Sequence, residues 1–103
     1  MKRDILDEIL TGALSEDDAD AVLDAILDSS EAPNAEALLG LSRIEWTAHG
    51  HGAMWTEIAH WRRDGWPSVC VACGRSIQAE RFGWRVVEVD GRAQLKHIRC
   101  PAN

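Results

Sequence analysis

A chain of 103 residues, 46% apolar and 27% charged, is long enough for one modest core, or for a helical region joined to a small metal-stapled module. No apolar run approaches the ~20 residues of a membrane-spanning helix, so no membrane role is expected. The net charge of −6 is unevenly held: residues 1–40 carry eleven carboxylates against Lys2 and Arg3, a balance of −9, whereas residues 41–103 carry nine cations against six carboxylates, a balance of +3.

An acidic front and a mildly basic rear favour a protein partner over a long nucleic-acid contact, and the two halves could also attract each other within one molecule. The opening Met1-Lys2-Arg3-Asp4 runs straight into an acidic amphipathic pattern, unlike a signal or transit peptide, so the expected location is the cytoplasm.

Ile5, Leu6, Ile9 and Leu10 have helical spacing within residues 2–11, and Gly12 suits the stop. Ser15 offers an N-cap with Asp18 three positions on, and Glu16 and Asp17 suit the positive end of the helix dipole. Ala19, Val22, Leu23, Ile26 and Leu27 form the apolar stripe of the helix that follows. These two helices are expected to pair as an acidic antiparallel hairpin over residues 1–30, with Asp17, Asp18, Asp24 and Asp28 on a solvated face. Short helices fill residues 34–65. One starts at Pro33-Asn34 and stops at Gly40. A second opens at the capping box Ser42-Arg43-Ile44-Glu45 and is broken by Gly50-His51-Gly52. A third spans residues 54–63, with Trp55, Ile58, Ala59 and Arg62 on one face, and ends at Asp64-Gly65-Trp66-Pro67.

The pattern then changes period. Phe82 to Val89 is rich in β-formers, Asp90-Gly91 is a hairpin-turn signal, and Ala93 to Ile98 is the expected return strand. The fold class is therefore α+β: four or five short helices, then a β-hairpin module over residues 66–103 packed on them.

The chain has three cysteines, an odd number that a disulfide framework within one chain cannot use up. Metal binding accounts for them better. Cys70-x-x-Cys73 supplies two thiolates from one turn, and His97-x-x-Cys100 supplies a neutral imidazole and a third thiolate. The 23 residues between the pairs suffice for a hairpin that brings both together. Zinc(II) takes four such ligands as a tetrahedron, and four protein ligands leave no position for a reactive water, so one structural zinc ion is expected. Gly74 lets the backbone fold beneath the metal, and Arg75, Lys96 and Arg99 stand close enough in sequence to offset the site's net charge of about −1.

Cys70-Val-Ala-Cys73-Gly74, Asp90-Gly91 and His97-Ile-Arg-Cys100-Pro101 resemble zinc-ribbon and treble-clef modules, and the His-x-x-Cys pair looks like the first zinc site of LIM-type domains. The resemblance covers about residues 66–101 and implies a zinc knuckle with a hairpin, usually used to bind proteins or nucleic acids. The terminal helix of the treble clef is absent after Cys100, which favours a ribbon-like ending. Leu41 to Ala48 followed by Thr56-Glu-Ile-Ala59 resembles the first two helices of helix-turn-helix regulators. That resemblance implies DNA binding through Thr56, His60, Arg62 and Arg63. Ile5 to Ala19 looks like the helical leader of anthranilate-type phosphoribosyltransferases. The glycine-rich phosphate loop of that family is missing, so only its subunit-packing role carries over, as a homodimer contact through residues 2–28.

The five tryptophans, Trp46, Trp55, Trp61, Trp66 and Trp84, all lie beyond residue 45. Three or four are expected to build the core between helices and hairpin, and one or two to be exposed anchors. Trp55, His60, Arg62 and Arg63 are the candidate partner-binding residues. His49, His51 and His60 lack an ordered carboxylate or cysteine and are not expected to form a second metal site, although His49 and His51 could line a partner surface. No nucleophile–base pair, Walker motif or Rossmann fingerprint is present. The expectation is a non-enzymatic zinc-binding protein that presents its acidic helices to a protein partner, in the manner of an immunity protein or antitoxin. The alternative is a DNA-binding regulator using residues 42–63.

Overall fold

A computed structural model of the chain describes residues 3–100; the start of the expected first helix and the last residues of the hairpin module lie outside the described residues. Five α-helices precede one antiparallel pair of strands: α1 (Ile5–Leu10), α2 (Glu16–Leu27), α3 (Ala35–Leu38), α4 (Arg43–Gly50), α5 (Trp55–Asp64), β1 (Trp84–Val89) and β2 (Arg92–His97). Short 3-10 turns at Ala32–Asn34 and Ala79–Arg81 lead into α3 and β1. The α+β class and the order of elements are as the residue pattern implies.

Local chemistry sets the helix boundaries. Asp4 caps α1 by accepting from Asp7 N, and Ser15 caps α2 by accepting from Asp18 N. Ser42 and Glu45 form the full reciprocal capping box at the start of α4. Pro33 enters the turn before α3 in its first positions. Gly65, at φ 113°, ends α5 in a conformation that side chains disfavour. Gly40, at φ 74°, has a second reason to lack a side chain: a Cβ there would strike the Arg3 carbonyl. The chain start is bound to the end of α3 at this point, through Arg3 N to Leu38 O (2.9 Å) and Ile5 N to Leu39 O (3.1 Å).

Helix pairing departs from the expected acidic hairpin. The principal helix partner of α1 is α5, not α2, and α2 packs on α3 and α5. The reason is the position of the apolar side chains. Ile5 and Leu6 have no exposed surface and join Leu39, Ile58 and Ala59 in the core, while Ala19 and Leu23 of α2 reach the same cluster from another side.

One guanidinium organises this assembly. Arg62 on α5 donates to both oxygens of Asp4 (2.6 and 2.7 Å), to both oxygens of Glu45 (2.6 and 2.8 Å) and to Gly40 O (3.1 Å). All the donor nitrogens of the side chain are thereby engaged, and α1, the α3–α4 loop and α4 are joined to α5. Glu45 is almost fully buried. Burial pushes its carboxyl up, but the Arg62 guanidinium and the Ser42 N–H outweigh that and hold it below the usual carboxylate range. The same contacts raise Arg62, with Glu45 the larger cause.

The acidic helix α2 also holds α5. Glu16 accepts from Trp55 N (2.8 Å), Thr56 N (2.7 Å) and Thr56 Oγ1 (2.9 Å), and Asp20 accepts from Trp55 Nε1 (2.8 Å). Met54, the N-cap residue of α5, has no side-chain acceptor to offer, so Glu16 supplies one from far along the chain.

The hairpin runs Trp84↔His97 through Val89↔Arg92, with Asp90 and Gly91 at φ 53° and 79° in its turn. Trp84, Ala93 and Leu95 face inward and are buried. Trp61, Trp66 and Trp84 form a continuous aromatic seam between α5 and β1, with ring centroids 5.0 and 6.2 Å apart. Glu57 on α5 accepts from Ala93 N (2.6 Å), which fastens the edge of β2 to the helices.

Candidate metal centre

The knuckle begins where Val69 bridges Ser76. Cys70 N donates to Arg75 O (2.8 Å), Gly74 N donates to Cys70 O (2.9 Å), and Ile77 N donates to Ser68 O (2.8 Å), so the backbone closes tightly around the Cys-x-x-Cys pair. Gly74 sits at φ 75°, the left-handed conformation its position in the turn requires. Val71 N reaches Leu95 O (3.1 Å) and ties the knuckle to β2. His97 closes β2, Ile98 N donates to Gly83 O (2.9 Å), and Cys100 follows three residues after His97.

These constraints bring the four expected donors together. The donor atoms of Cys70, Cys73, His97 and Cys100 all lie within 4.8 Å of one another, close enough to hold one metal ion. Cys70 Sγ is 3.8 Å from Cys100 Sγ, and Cys73 Sγ is 3.4 Å from His97 Nδ1. Cys70 is buried, His97 and Cys100 are half-buried, and Cys73 is exposed. The arrangement is compatible with a zinc-ribbon-like site beside a two-stranded hairpin.

Backbone dipoles prepare the site electrostatically. Burial pushes the Cys70 thiol up, but N–H groups aimed at its sulfur, from His97 (3.4 Å) and Cys73 (3.5 Å), prevail and hold it at about 5. Burial, together with the neighbouring Cys70 and Cys73 sulfurs, pushes the Cys100 thiol up. Cys70 is therefore held toward the thiolate form, and Cys100 would have to release its proton to solvent in order to ligate a metal ion. Beside the donors, Lys96 Nζ donates to His97 O at 3.3 Å.

The other candidate residues disperse. Trp55 has no exposed surface and stacks on His49 at 3.7 Å, so it has no side-chain face to offer a partner. Arg62 is spent on Asp4, Glu45 and Gly40 and does not point outward from α5. Arg63 is exposed and pairs with its neighbour Asp64 at 2.9 Å. His60 is exposed and, with Met54, Trp61 and Arg92, lines an open groove of ≈ 590 Å³ between α5 and β2. His51 leans on Trp84, with ring centroids 5.8 Å apart. Among the described residues, the Cys/His set is the one group of three or more such donors close enough to hold a metal, so His49, His51 and His60 do not converge.

All five tryptophans are buried or packed against the core, and none is the exposed anchor that their number suggested. The helix-turn-helix resemblance fares poorly on the same grounds. Arg62, one of its two candidate cations, is consumed inside the fold, and Thr56 is bound to Glu16. Sequence reasoning missed the bracing carboxylates Glu16, Asp20 and Glu57. Their partners lie 35 to 40 residues away, and no local pattern marks such contacts.

No protein-family description matches this chain, and no curated protein or solved structure matches it. Among the described residues no helix is long and apolar enough to cross a membrane.

Proposed function

We propose that one zinc ion, held by Cys70, Cys73, His97 and Cys100, clamps the hairpin, and that the protein acts without catalysis by presenting the acidic face of α2 to a protein partner. The observation that carries the first half is the spacing of the donors. Tetrahedral zinc with bonds of about 2.3 Å to sulfur and 2.0–2.1 Å to nitrogen places two sulfurs about 3.8 Å apart, and sulfur and nitrogen about 3.5 Å apart. Cys70 Sγ–Cys100 Sγ is 3.8 Å and Cys73 Sγ–His97 Nδ1 is 3.4 Å, and all four donor atoms lie within 4.8 Å of one another. Three thiolates and an imidazole are also the donor set that zinc prefers over magnesium or calcium. Four protein donors complete the tetrahedron, so the ion's contribution is structural.

The second half is supported by what α2 does not use. Glu16 and Asp20 face inward to α5, yet Asp17, Asp18, Asp24 and Asp28 are exposed, and none of the four uses its carboxylate in a hydrogen bond or ion pair among the described residues. A small acidic protein of this kind suits masking a basic surface, such as that of a nuclease, which is the immunity- or antitoxin-like form of the reading. Two measurements test it. Protein grown with adequate zinc should carry one metal per chain and show three thiols that titrate only after chelation; a metal-free chain with an ordered hairpin overturns the clamp. Tagged wild-type protein should retain a basic partner from native extract that the Asp24→Lys/Asp28→Lys variant releases; equal retention by both overturns the acidic surface.

A further inference from the structure

The hairpin has an outward face that the preceding reading leaves without a task. Side chains alternate across a strand, and the register puts Arg85, Val87 and Val89 on the same side as Lys96, Gln94 and Arg92. The opposite side carries Trp84, Ala93 and Leu95 into the core. The outward set therefore holds three cations, two valines and an amide, with no carboxylate. None of the three cations has a carboxylate partner among the described residues. Arg85 and Lys96 stand directly opposite each other in the register, and like charges in that position repel. Val89 is 38% exposed beside them.

Helix α2 shows the complementary anomaly. Asp17, Ala21, Asp24 and Asp28 follow one another at helical spacing along its exposed side, with Leu27, 46% exposed, next to the stripe. Asp24 lies in the last turn and Asp28 is the C-cap, where carboxylates oppose the helix dipole, and no basic residue lies in that turn to relieve them. Both surfaces are locally unfavourable in charge, of opposite sign, and each adds an exposed aliphatic side chain. Their lengths also agree. A helix of 12 residues is about 18 Å long, and a strand of 6 residues about 20 Å.

We infer that the outward face of the hairpin receives α2 of a second copy of this chain, with the contact made twice about a two-fold axis. This rests on the reading of α2 as a partner surface and names the partner. A two-fold pairing is closed, so each acidic helix meets one basic sheet and no free patch continues the chain of contacts. Doubling a helix-on-sheet contact brings the buried area toward the roughly 1,600 Å² of a standard interface, which either contact alone falls short of. A single-stranded nucleic acid is a poorer fit, because the outward set offers no aromatic ring for a base to stack on.

The test is a charge exchange on the full zinc-loaded chain. Sedimentation equilibrium at low ionic strength should give a dimer at tens of micromolar. Arg85→Glu/Arg92→Glu and Asp24→Lys/Asp28→Lys should each weaken self-association at least tenfold, while both keep full metal content and native tryptophan emission. Mixing the two variants should restore a one-to-one dimer, because the reversed sheet then meets the reversed helix and the two unreversed surfaces meet each other. A wild-type chain that is monomeric at every concentration, a dimer indifferent to the Arg85/Arg92 reversal, or a monomer whose sheet face instead takes poly-glutamate or an oligonucleotide each overturns the second copy. A monomeric wild type that still loses a basic partner on Asp24/Asp28 reversal sinks this inference and leaves the α2 reading standing. A dimer abolished at the sheet but untouched at Asp24 and Asp28 also overturns this inference, because α2 is then not what the sheet receives.

Discussion

From residue 4 to residue 64 the long-range order is carried by carboxylates: Asp4 and Glu45 on Arg62, Glu16 and Asp20 on the start of α5. From residue 68 to residue 100 the polar residues that converge are Cys70, Cys73, His97 and Cys100, close enough to hold a metal ion, with Trp84 and Leu95 as the fully buried large side chains of the strands. The helices share one core and can spread their stability over many contacts. The hairpin is a two-stranded sheet, which in water is marginal without a further restraint. The helical region therefore adds distributed charge pairing across the core, whereas residues 68–100 reach that same core through Ile77, Ala79, Trp84 and Leu95 and carry one donor cluster that could clamp them further. The two regions meet at the Trp61–Trp66–Trp84 seam and at the Glu57–Ala93 hydrogen bond.

The largest expected effect comes from removing the metal, because it tests whether the regions are separable. A structural zinc site of the kind proposed would contribute on the order of 10 kcal/mol, as in small zinc-dependent folds. Chelation, or Cys73→Ser, should unfold residues 68–100 and expose Trp84, seen as a red shift and loss of intensity in tryptophan emission. Far-UV circular dichroism should keep most of the helical signal. Metal loss with unchanged tryptophan emission would show that the seam alone holds the hairpin.

Next in size is Arg62→Met, which probes the helical region without touching the metal. It leaves the buried Glu45 carboxylate without its cation, a loss of about 3 kcal/mol, toward the lower end for buried pairs because Asp4 is nearly half exposed. The urea midpoint of the helical transition should fall, while zinc stoichiometry stays at one per chain. Arg62→Lys should recover little, since one ammonium cannot reproduce the two bidentate contacts.

The convergence of Cys70, Cys73, His97 and Cys100, the caps at Ser15 and Ser42, the Asp90-Gly91 turn and the change from helical to alternating period were all legible in the residues. Each is a local signal: a spacing, a cap residue or a turn pair. What was not legible is what each helix touches. Ile5 and Leu6 announce an apolar face but not whether α2 or α5 will cover it, and the nearer helix in sequence is the wrong one. Arg62 falls on the same stripe as Trp55, Ile58 and Ala59, a pattern that places it toward the core; the DNA-facing reading ignored that placement. Glu16 suits the first turn of its own helix by the usual dipole argument, and that local role hid its work on α5.

Glu16→Ala is the third probe. It removes an acceptor shared by Trp55 N, Thr56 N and Thr56 Oγ1, and should cost about 2 kcal/mol, the upper part of the range for a lost helix cap. Glu16→Gln keeps one acceptor oxygen and should cost about half as much. Thermal unfolding followed at 222 nm would rank the two. An equal loss in both would mean that the charge, not the acceptor geometry, matters at the start of α5.

The smallest effect is also the one that separates the regions by pH. Glu45 titrates below the ordinary carboxyl range in the folded protein, so the unfolded chain binds its proton first as acid is added. Its contribution is fully present above the unfolded value of about 4.3 and is lost as pH falls through the lower folded value. Protons compete for the metal donors earlier, since the imidazole and the thiolates must be unprotonated to bind. Acid titration should therefore proceed in two stages: zinc release with the Trp84 change, then loss of helix at lower pH. In Glu45→Gln the second stage should lose its dependence on this carboxyl, so the stability gap between wild type and variant should be widest near neutrality and narrow below pH ~4. A gap that stays constant across that range would assign the Glu45 contribution to packing, and would leave the cation at Arg62 with Asp4 as its functional partner.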